Sequence, residues 1–318
     1  MERTEEKREH PPAWAQAREG KVVPHASFYR RGVKAVILDW AGTTVDFGCI
    51  APATVFVEIF RREGVEITME EAREPMGLAK KDHIRVICSM ESVRSRWEGA
   101  HGRAPDEEDV HRLYAHFEPD LHASIREHAD LISGTQELVS ALRKRGIKIG
   151  SSTGYSASTM EILIEEAGMR GYEPDAFVSP DEVPAGRPYP WMCHLNAMKL
   201  NVYPMQSMIK IGDTAVDIQE GLNAGMWTIG LAKSGNEIGL TMGELLLMDP
   251  VEFRKRLDAA YWKLYKAGAH YVVDGIWDCL ELIDEIDERS RRGQAPFGTY
   301  PVMVQDELRR LGRHGTIK

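Results

Sequence analysis

Residues 33–48 read "VKAVILDWAGTTVDFG". A short apolar run, Ala35–Leu38, stops at an acid, Asp39, and a small turn follows: Trp40, Ala41, Gly42 and two threonines. A short apolar run rich in β-branched residues reads as a buried strand. An acid at its end is often no more than a turn former. Whether Asp39 does chemistry depends on what the rest of the chain brings to the same edge.

Four further runs match the first: 147–151, 176–179, 208–212 and 227–230, the first run being taken as 35–39. Helical patterns separate the later ones. "GTQELVSALRKRG" precedes the second run, and "SASTMEILIEEAGM" follows it with Ser156 or Ser158 as a cap. "PYPWMCHLNAMKLN" and "AVDIQEGLNAGM" lie between later runs. Strands alternating with helices predict an α/β fold with a doubly wound parallel sheet. The gap between the first two runs is too long for one crossover and reads as helical throughout ("TVFVEIFRREG", "KDHIRVICSM", "DEEDVHRLYAHFEPDLHASIREH"). It is expected to form an inserted helical cap domain over 48–131. The core then takes 33–47 and 132–290, with an N-terminal extension at 1–32 and a C-terminal tail at 291–318. The core runs on as an amphipathic helix, "PVEFRKRLDAAYWKLYKAG", a short run "HYVVD", and "IWDCLELIDEIDERSRR".

Composition narrows the function. The chain has 318 residues, 43% hydrophobic and 28% charged, as in ordinary globular proteins. A net charge of -9 disfavours a nucleic-acid partner, which calls for a basic face. No apolar run is long enough to cross a membrane, and the charged N-terminus lacks the apolar stretch of a signal peptide. Cys49, Cys88, Cys193 and Cys279 are scattered with no CxxC pair, so neither a zinc site nor a disulfide framework is expected, and a reducing cytosol is the simplest home.

Ligands of open α/β sheets bind beyond the carboxyl ends of the strands. The first run ends on Asp39. The second leads into "SSTGY", with Thr153 and Gly154. After the third comes "PDEVPAGRPYP", with Arg187, and the fourth leads into "GDTAVD", with Asp213 and Asp217. Each is unremarkable alone: a turn acid, a helix cap, a surface cation. Together they set several carboxylates, a hydroxyl and a guanidinium at one edge. Clustered carboxylates repel one another unless a cation joins them. Hard oxygen ligands suit Mg²⁺, which commonly sits beside a substrate phosphate. The hydroxyl, nearby backbone N–H groups and the arginine then hold phosphoryl oxygens. A carboxylate beside the metal can attack phosphorus and form an acyl phosphate.

"DWAGTT", "SSTGY", a basic residue before the fourth run and "GDTAVD" resemble the four signature stretches of the haloacid dehalogenase superfamily. The resemblance implies Asp39 as nucleophile and metal ligand, the Ala41 carbonyl and Asp213 as further metal ligands, and Asp217 supporting the metal from behind or through water. It implies Thr153 and Arg187 as binders of the transferring phosphoryl group. Ordinary phosphatases of that superfamily carry a second Asp two residues after the nucleophile, to protonate the departing alkoxide. Here that position is Ala41, and a methyl group donates no proton.

The expected cap offers another route. In "EPMGLAKKDHIR", Pro75 suits the first turn of a helix. On such a helix Met76, Lys80 and His83 share a face, and Lys81 is turned about 100° away. A solvated basic helix end is the plainer reading. A lysine pressed over the active edge, however, is partly desolvated, which frees its amine to form a Schiff base with a carbonyl. Breaking a C–P bond expels a carbanion, a very poor leaving group. If that carbon lies next to an iminium, the electrons leave as an enamine and no acid at position 41 is needed. This points to a phosphonate with a carbonyl one carbon away.

"DWAGTTVDFGC", "PMGLAKKDHIR", "GIKIGSSTGY" and "VPAGRPYPWMC" with "GDT..D" resemble the phosphonoacetaldehyde hydrolase family. That resemblance implies a Schiff-base lysine at Lys80, with Met76, His83, Cys49 and Tyr155 around the substrate, Mg²⁺ as cofactor and a homodimer. Rival readings are a phosphomonoesterase or phosphomutase of the same superfamily, disfavoured by Ala41 and Lys80, and a haloacid dehalogenase, disfavoured by Asp213. A binding protein that keeps the fold without turnover is disfavoured by the retained Asp39, Lys80, Arg187 and Asp213.

Overall fold

A computed structural model describes residues 32–296. The expected N-terminal extension, up to residue 31, and most of the expected tail, from residue 297, lie outside the described residues.

Six parallel strands form one sheet in the order β3-β2-β1-β4-β5-β6. They are β1 (Ala35–Leu38), β2 (Lys148–Ser152), β3 (Ala176–Val178), β4 (Met208–Gly212), β5 (Trp227–Leu231) and β6 (Tyr271–Val273). The third strand stops one residue short of the expected run. The sixth, from "HYVVD", adds an edge strand beyond the five expected. Every residue of β1 is buried, as a central strand covered on both faces requires. Its register sets Leu38 beside Ser151 of β2 and Ile211 of β4. The carboxyl ends of β1, β2 and β4 therefore come out level, and Asp39, Thr153 and Asp213 emerge side by side. The strand order reverses at β1, with β2 to one side and β4 to the other, and crevices form at such a switch point.

Six helices lie between β1 and β2, and the first five form an insert: α1 (Ile50–Arg62), α2 (Met69–Arg73), α3 (Lys80–Ser89), α4 (Glu91–His101) and α5 (Glu107–Ile125). They bury apolar side chains continuous with the core of the sheet domain, with Phe56, Phe60, Trp97, Leu113 and Phe117 fully covered. The Phe56 and Phe117 rings stack at 4.4 Å between centroids. This is the inserted helical cap. Asp46, in the left-handed conformation at φ 53°, starts it by accepting hydrogen bonds from the Ile50 and Ala51 N–H groups at 3.0 and 3.1 Å. A carboxylate there satisfies two otherwise unpaired donors at the positive end of α1.

One local expectation is corrected. Met76 and Lys80 do not share a helix. Helix α2 ends at Arg73, residues 74–78 form a turn, and α3 begins at Lys80. Gly77, at φ +94°, breaks the helical path that the spacing suggested. Pro75 thus lies in the turn rather than in a helix's first turn.

The remaining helices complete the two outer layers. They are α6 (Thr135–Lys144), which precedes β2, then α7 (Ala157–Met169), α8 (Trp191–Leu200), α9 (Ala215–Asn223), α10 (Met242–Leu247), α11 (Pro250–Lys266) and α12 (Cys279–Arg291). Ser156 caps α7, accepting from the Thr159 N–H at 3.3 Å. Among the described residues no helix is long and apolar enough to cross a membrane.

Candidate active site

The cap turn and the sheet edge enclose one small cleft. Asp39, Ala41, Cys49, Met76, Lys80, Thr153, Gly154, Tyr155, Arg187 and Asp213 all line it, with Gly77 and Thr214. Nine of these ten were expected from the sequence at the substrate or metal, and Ala41 was expected through its carbonyl. Of the two other expected residues, Asp217 lies just behind the wall. His83 is fully buried but is not among the lining residues; it stacks on Phe56 at 3.8 Å, and its Nε2 lies 2.8 Å from the Ala72 carbonyl oxygen. With that carbonyl as acceptor, Nε2 carries the proton and the ring is neutral. Burial and then the nearby Lys80 hold the His83 pKa well below the usual value.

The cap approaches the core through glycine. A Cβ at Gly154 would collide with the Leu78 carbonyl oxygen, and one at Gly77 would meet the Thr214 side chain. Gly77 also presents its carbonyl to Arg187 Nη1 at 3.5 Å.

Lys80 is the first residue of α3 and is buried. Its Nζ lies 3.9 Å from Met76 Sδ, 4.8 Å from the centroid of the Tyr155 ring and 5.8 Å from that of Phe56. No ion pair to Lys80 is present among the described residues. Burial lowers its pKa from 10.5 to about 8, against the opposing pull of Cys49 and Asp39. The start of a helix, where the macrodipole is positive, is a further poor place for an ammonium. Lys81 turns outward, and its Nζ stands 2.6 Å from His111 Nε2.

Opposite the cap, Asp39, Asp213 and Asp217 each offer an oxygen within 4.8 Å of the others. The three differ in how far their charge is compensated. Asp217 Oδ1 receives Lys210 Nζ at 2.7 Å and Arg187 Nη1 at 3.0 Å, and Oδ2 accepts from the Thr214 hydroxyl. Burial raises its pKa, but Arg187 and Lys210 more than reverse this and hold it below the usual carboxylate range. Asp213 has no cation partner among the described residues; it accepts from the Asn236 N–H at 2.7 Å, with a long contact from the Thr43 hydroxyl and the Cys49 thiol at 3.8 Å. Burial, then Asp39 and Asp217, push it well up. Asp39 meets Arg187 Nη2 at 2.7 Å, yet burial and Asp217 still raise it. Asp39 and Asp213 are thus an undercompensated pair in a buried cleft. Such a pair takes up either a proton or a cation, and clustered carboxylate oxygens suit a hard divalent ion.

Sequence reasoning missed three residues. Lys210, fully buried on β4, and Glu220, fully buried on α9, face each other at 3.5 Å and both touch the Asp217–Arg187 cluster. Phe56 backs Lys80. An alternation of apolar and polar residues in "MIKIG" would place the lysine on a solvent face, so the sequence carried no signal for a buried Lys210.

Comparison with known proteins agrees with this geometry. Residues 33–225 match the family of haloacid dehalogenase-like hydrolases. A phosphonoacetaldehyde hydrolase-like protein of Syntrophobacter fumaroxidans is 52% identical over 276 residues, covering 87% of this chain and 100% of the relative. The chain belongs to the phosphonoacetaldehyde hydrolase family of haloacid dehalogenase-like hydrolases. The phosphonoacetaldehyde hydrolase of Nitratidesulfovibrio vulgaris is 50% identical over 269 residues, 85% of this chain and 96% of its own. The crystal structure of a phosphonoacetaldehyde hydrolase-like protein from Oleispira antarctica superposes with a TM-score of 0.81 at 40% identity, over 83% of this chain and 96% of the other. A β-phosphoglucomutase from Clostridium difficile, at 19% identity and TM-score 0.58, shares the fold. The chain is a hydrolase enzyme.

Proposed function

We propose that this enzyme hydrolyses the C–P bond of phosphonoacetaldehyde to acetaldehyde and phosphate, through a Schiff base on Lys80 and an aspartyl phosphate on Asp39. The observation that carries the reading is Lys80: a buried amine without an ion pair among the described residues, in the same cleft as a strand-end Asp whose +2 position is Ala41.

The Lys80 amine adds to the aldehyde carbon, and loss of water leaves an iminium. Asp39 attacks phosphorus. The C–P bond breaks, its electron pair becomes a new C=C bond and the C=N π pair moves onto nitrogen, which gives an enamine on Lys80. Water then cleaves the aspartyl phosphate and releases phosphate. The enamine takes a proton at carbon, and hydrolysis of the imine returns acetaldehyde and the free amine. The iminium is the electron sink, so the leaving group needs no acid from position 41. Arg187 and Thr153 hold phosphoryl oxygens. Met76, Tyr155, Cys49 and the Gly154 backbone surround the aldehyde end, and His83 braces Lys80 from behind through Phe56.

Asp39, Asp213 and the Ala41 carbonyl are the residues that would hold Mg²⁺, and the undercompensated Asp39–Asp213 pair fits it. Bound there, the ion supplies charge neutralisation for the nucleophile and the phosphoryl group. Asp217, committed to two cations, steadies the cluster from behind. We place the domain limits where the sequence set them, with the cap over 48–131 joined to a core of 33–47 and 132–290. A homodimer in the cytoplasm accords with the family, and the four cysteines are all buried and unpaired.

A substrate panel tests the reading: phosphonoacetaldehyde beside simple alkyl phosphates, each with and without Mg²⁺. Metal-dependent turnover of the phosphonate, with the esters poor, is expected. Esters turned over as efficiently as the phosphonate would return the enzyme to the phosphomonoesterase or phosphomutase class.

A further inference from the structure

Arg187 uses each of its three nitrogens on a different carboxylate. Nη2 meets Asp39 at 2.7 Å, Nη1 meets Asp217 at 3.0 Å, and Nε meets Glu220 at 3.0 Å. Glu220 Oε2 also accepts from the Ser152 hydroxyl at 2.9 Å, while Arg187 Nη2 donates to the same hydroxyl at 3.1 Å and to the Ser152 carbonyl at 2.6 Å. A guanidinium is a rigid plane, so anchoring Nε fixes where both Nη groups point. Asp39 and Asp217 face the reacting centre or its edge. Glu220 does not line the cleft; its Oε2 accepts from Arg187 Nε and the Ser152 hydroxyl.

We propose that Glu220 is a positioning residue for the reaction: it locks the plane of Arg187 from behind so that Nη2 stays aimed at the phosphoryl group while Asp39 changes partner. This rests on the reading of Arg187 as the phosphoryl binder. When Asp39 becomes an acyl phosphate, it loses its carboxylate charge and its hold on Nη2 weakens. Chemistry at Asp39 leaves the Nε–Glu220 and Nη1–Asp217 contacts untouched, and of the two only Glu220 lies outside the acidic cluster at the reacting centre. Lys210 completes the lock. Its Nζ lies 3.5 Å from Glu220 and 2.7 Å from Asp217, tying the two anchors of Arg187 together. Burial and Arg187 act to lower its pKa, but Asp217 and Glu220 hold it raised, so it stays a cation.

A purely structural ion pair would matter to folding and not to Arg187. A double-mutant cycle separates the two. Glu220→Gln keeps the volume and an acceptor but loses the charge. It is expected to lower kcat on phosphonoacetaldehyde by about 100-fold, the scale of a misplacement near 1 Å, and to weaken binding of inorganic phosphate measured by calorimetry. Thermal unfolding should shift little. In an Arg187→Lys background the same change should add less than about twofold to either loss, because the group it positions is gone. If Glu220→Gln does not fold, Ser152→Ala removes only the hydroxyl bridging Glu220 and Arg187 and runs through the same cycle. Full additivity, or unchanged kcat and phosphate binding in a folded variant, overturns the proposal. A wild-type enzyme inactive on phosphonoacetaldehyde would overturn the substrate assignment alone, since the phosphate-binding cycle still decides the role of Glu220.

Discussion

The Lys80 amine stands over the face of the Tyr155 ring, 4.8 Å from its centroid, and this contact joins the cap to the loop after β2. An aromatic face attracts a cation only weakly compared with a carboxylate, and the site is buried. The amine is thereby held where its neutral form is accessible, at a pKa lowered by burial to about 8.

The pH profile follows. Below about 8 the folded enzyme carries Lys80 protonated, and an ammonium cannot attack a carbonyl; as pH rises through about 8 the amine is freed. We expect kcat/KM on phosphonoacetaldehyde to rise with pH along a limb of midpoint near 8, well below the 10.5 of an ordinary lysine. A limb at ordinary lysine values would show that the cap does not desolvate this residue.

Asp213→Asn should separate function from stability. If Asp213 holds the metal as proposed, removing its carboxylate is expected to lower turnover by about a thousandfold or more, the scale of several kcal/mol of phosphoryl charge stabilisation. Burial and the neighbouring Asp39 and Asp217 raise the folded pKa of Asp213 above its unfolded value. Its protonated form therefore stabilises the metal-free fold at low pH, and that stability is lost as pH rises through the folded pKa. At neutral pH the metal-free Asn variant should melt at a higher temperature than metal-free wild type, and added Mg²⁺ should stabilise wild type alone. Melting curves with EDTA and with Mg²⁺ check this; equal Mg²⁺ stabilisation of both proteins would place the ion elsewhere.

Much of this site was legible because strand-end residues have fixed addresses. Asp39, Thr153 and Asp213 follow apolar runs, and level strand ends bring them together whatever the cap does. Lys210 and Glu220 were not legible: their burial depends on β4 and α9 packing face to face, which no local pattern reports. The Met76–Lys80 contact was expected for the wrong reason. Helical spacing suggested it, but the Gly77 turn produces it, with Sδ and Nζ 3.9 Å apart across a break in the helix. His83 is buried on α3, yet it stacks on Phe56 and is not among the residues lining the cleft.

Ala41→Asp addresses leaving-group chemistry. Ala41 lines the cleft two residues beyond Asp39, where an acid could protonate an alkoxide. General acid catalysis typically contributes about 10²-fold or more, so the variant should hydrolyse simple alkyl phosphates faster by about that factor while C–P cleavage does not improve. Rates on both substrate types measure it. A variant that accelerates C–P cleavage would show that the departing carbon needs an acid after all.

Gly154→Ala tests closure of the cap. The added methyl would strike the Leu78 carbonyl oxygen, a backbone atom that cannot swing aside. We expect kcat/KM to fall by about tenfold or more, since small misplacements of a catalytic group cost up to about 10²-fold, with the melting temperature little changed. Wild-type kinetics in this variant would mean that the cap does not need this close approach.

Borohydride trapping tests the central claim most directly. Enzyme, phosphonoacetaldehyde and borohydride should yield a reduced adduct on the peptide containing Lys80, located by fragmentation mass spectrometry, with Lys81 unmodified. The Lys80→Arg variant should trap nothing and lose C–P cleavage, because a guanidinium stays protonated and is no amine nucleophile. An adduct on Lys81, or near-normal turnover by Lys80→Arg, would contradict the Schiff-base mechanism.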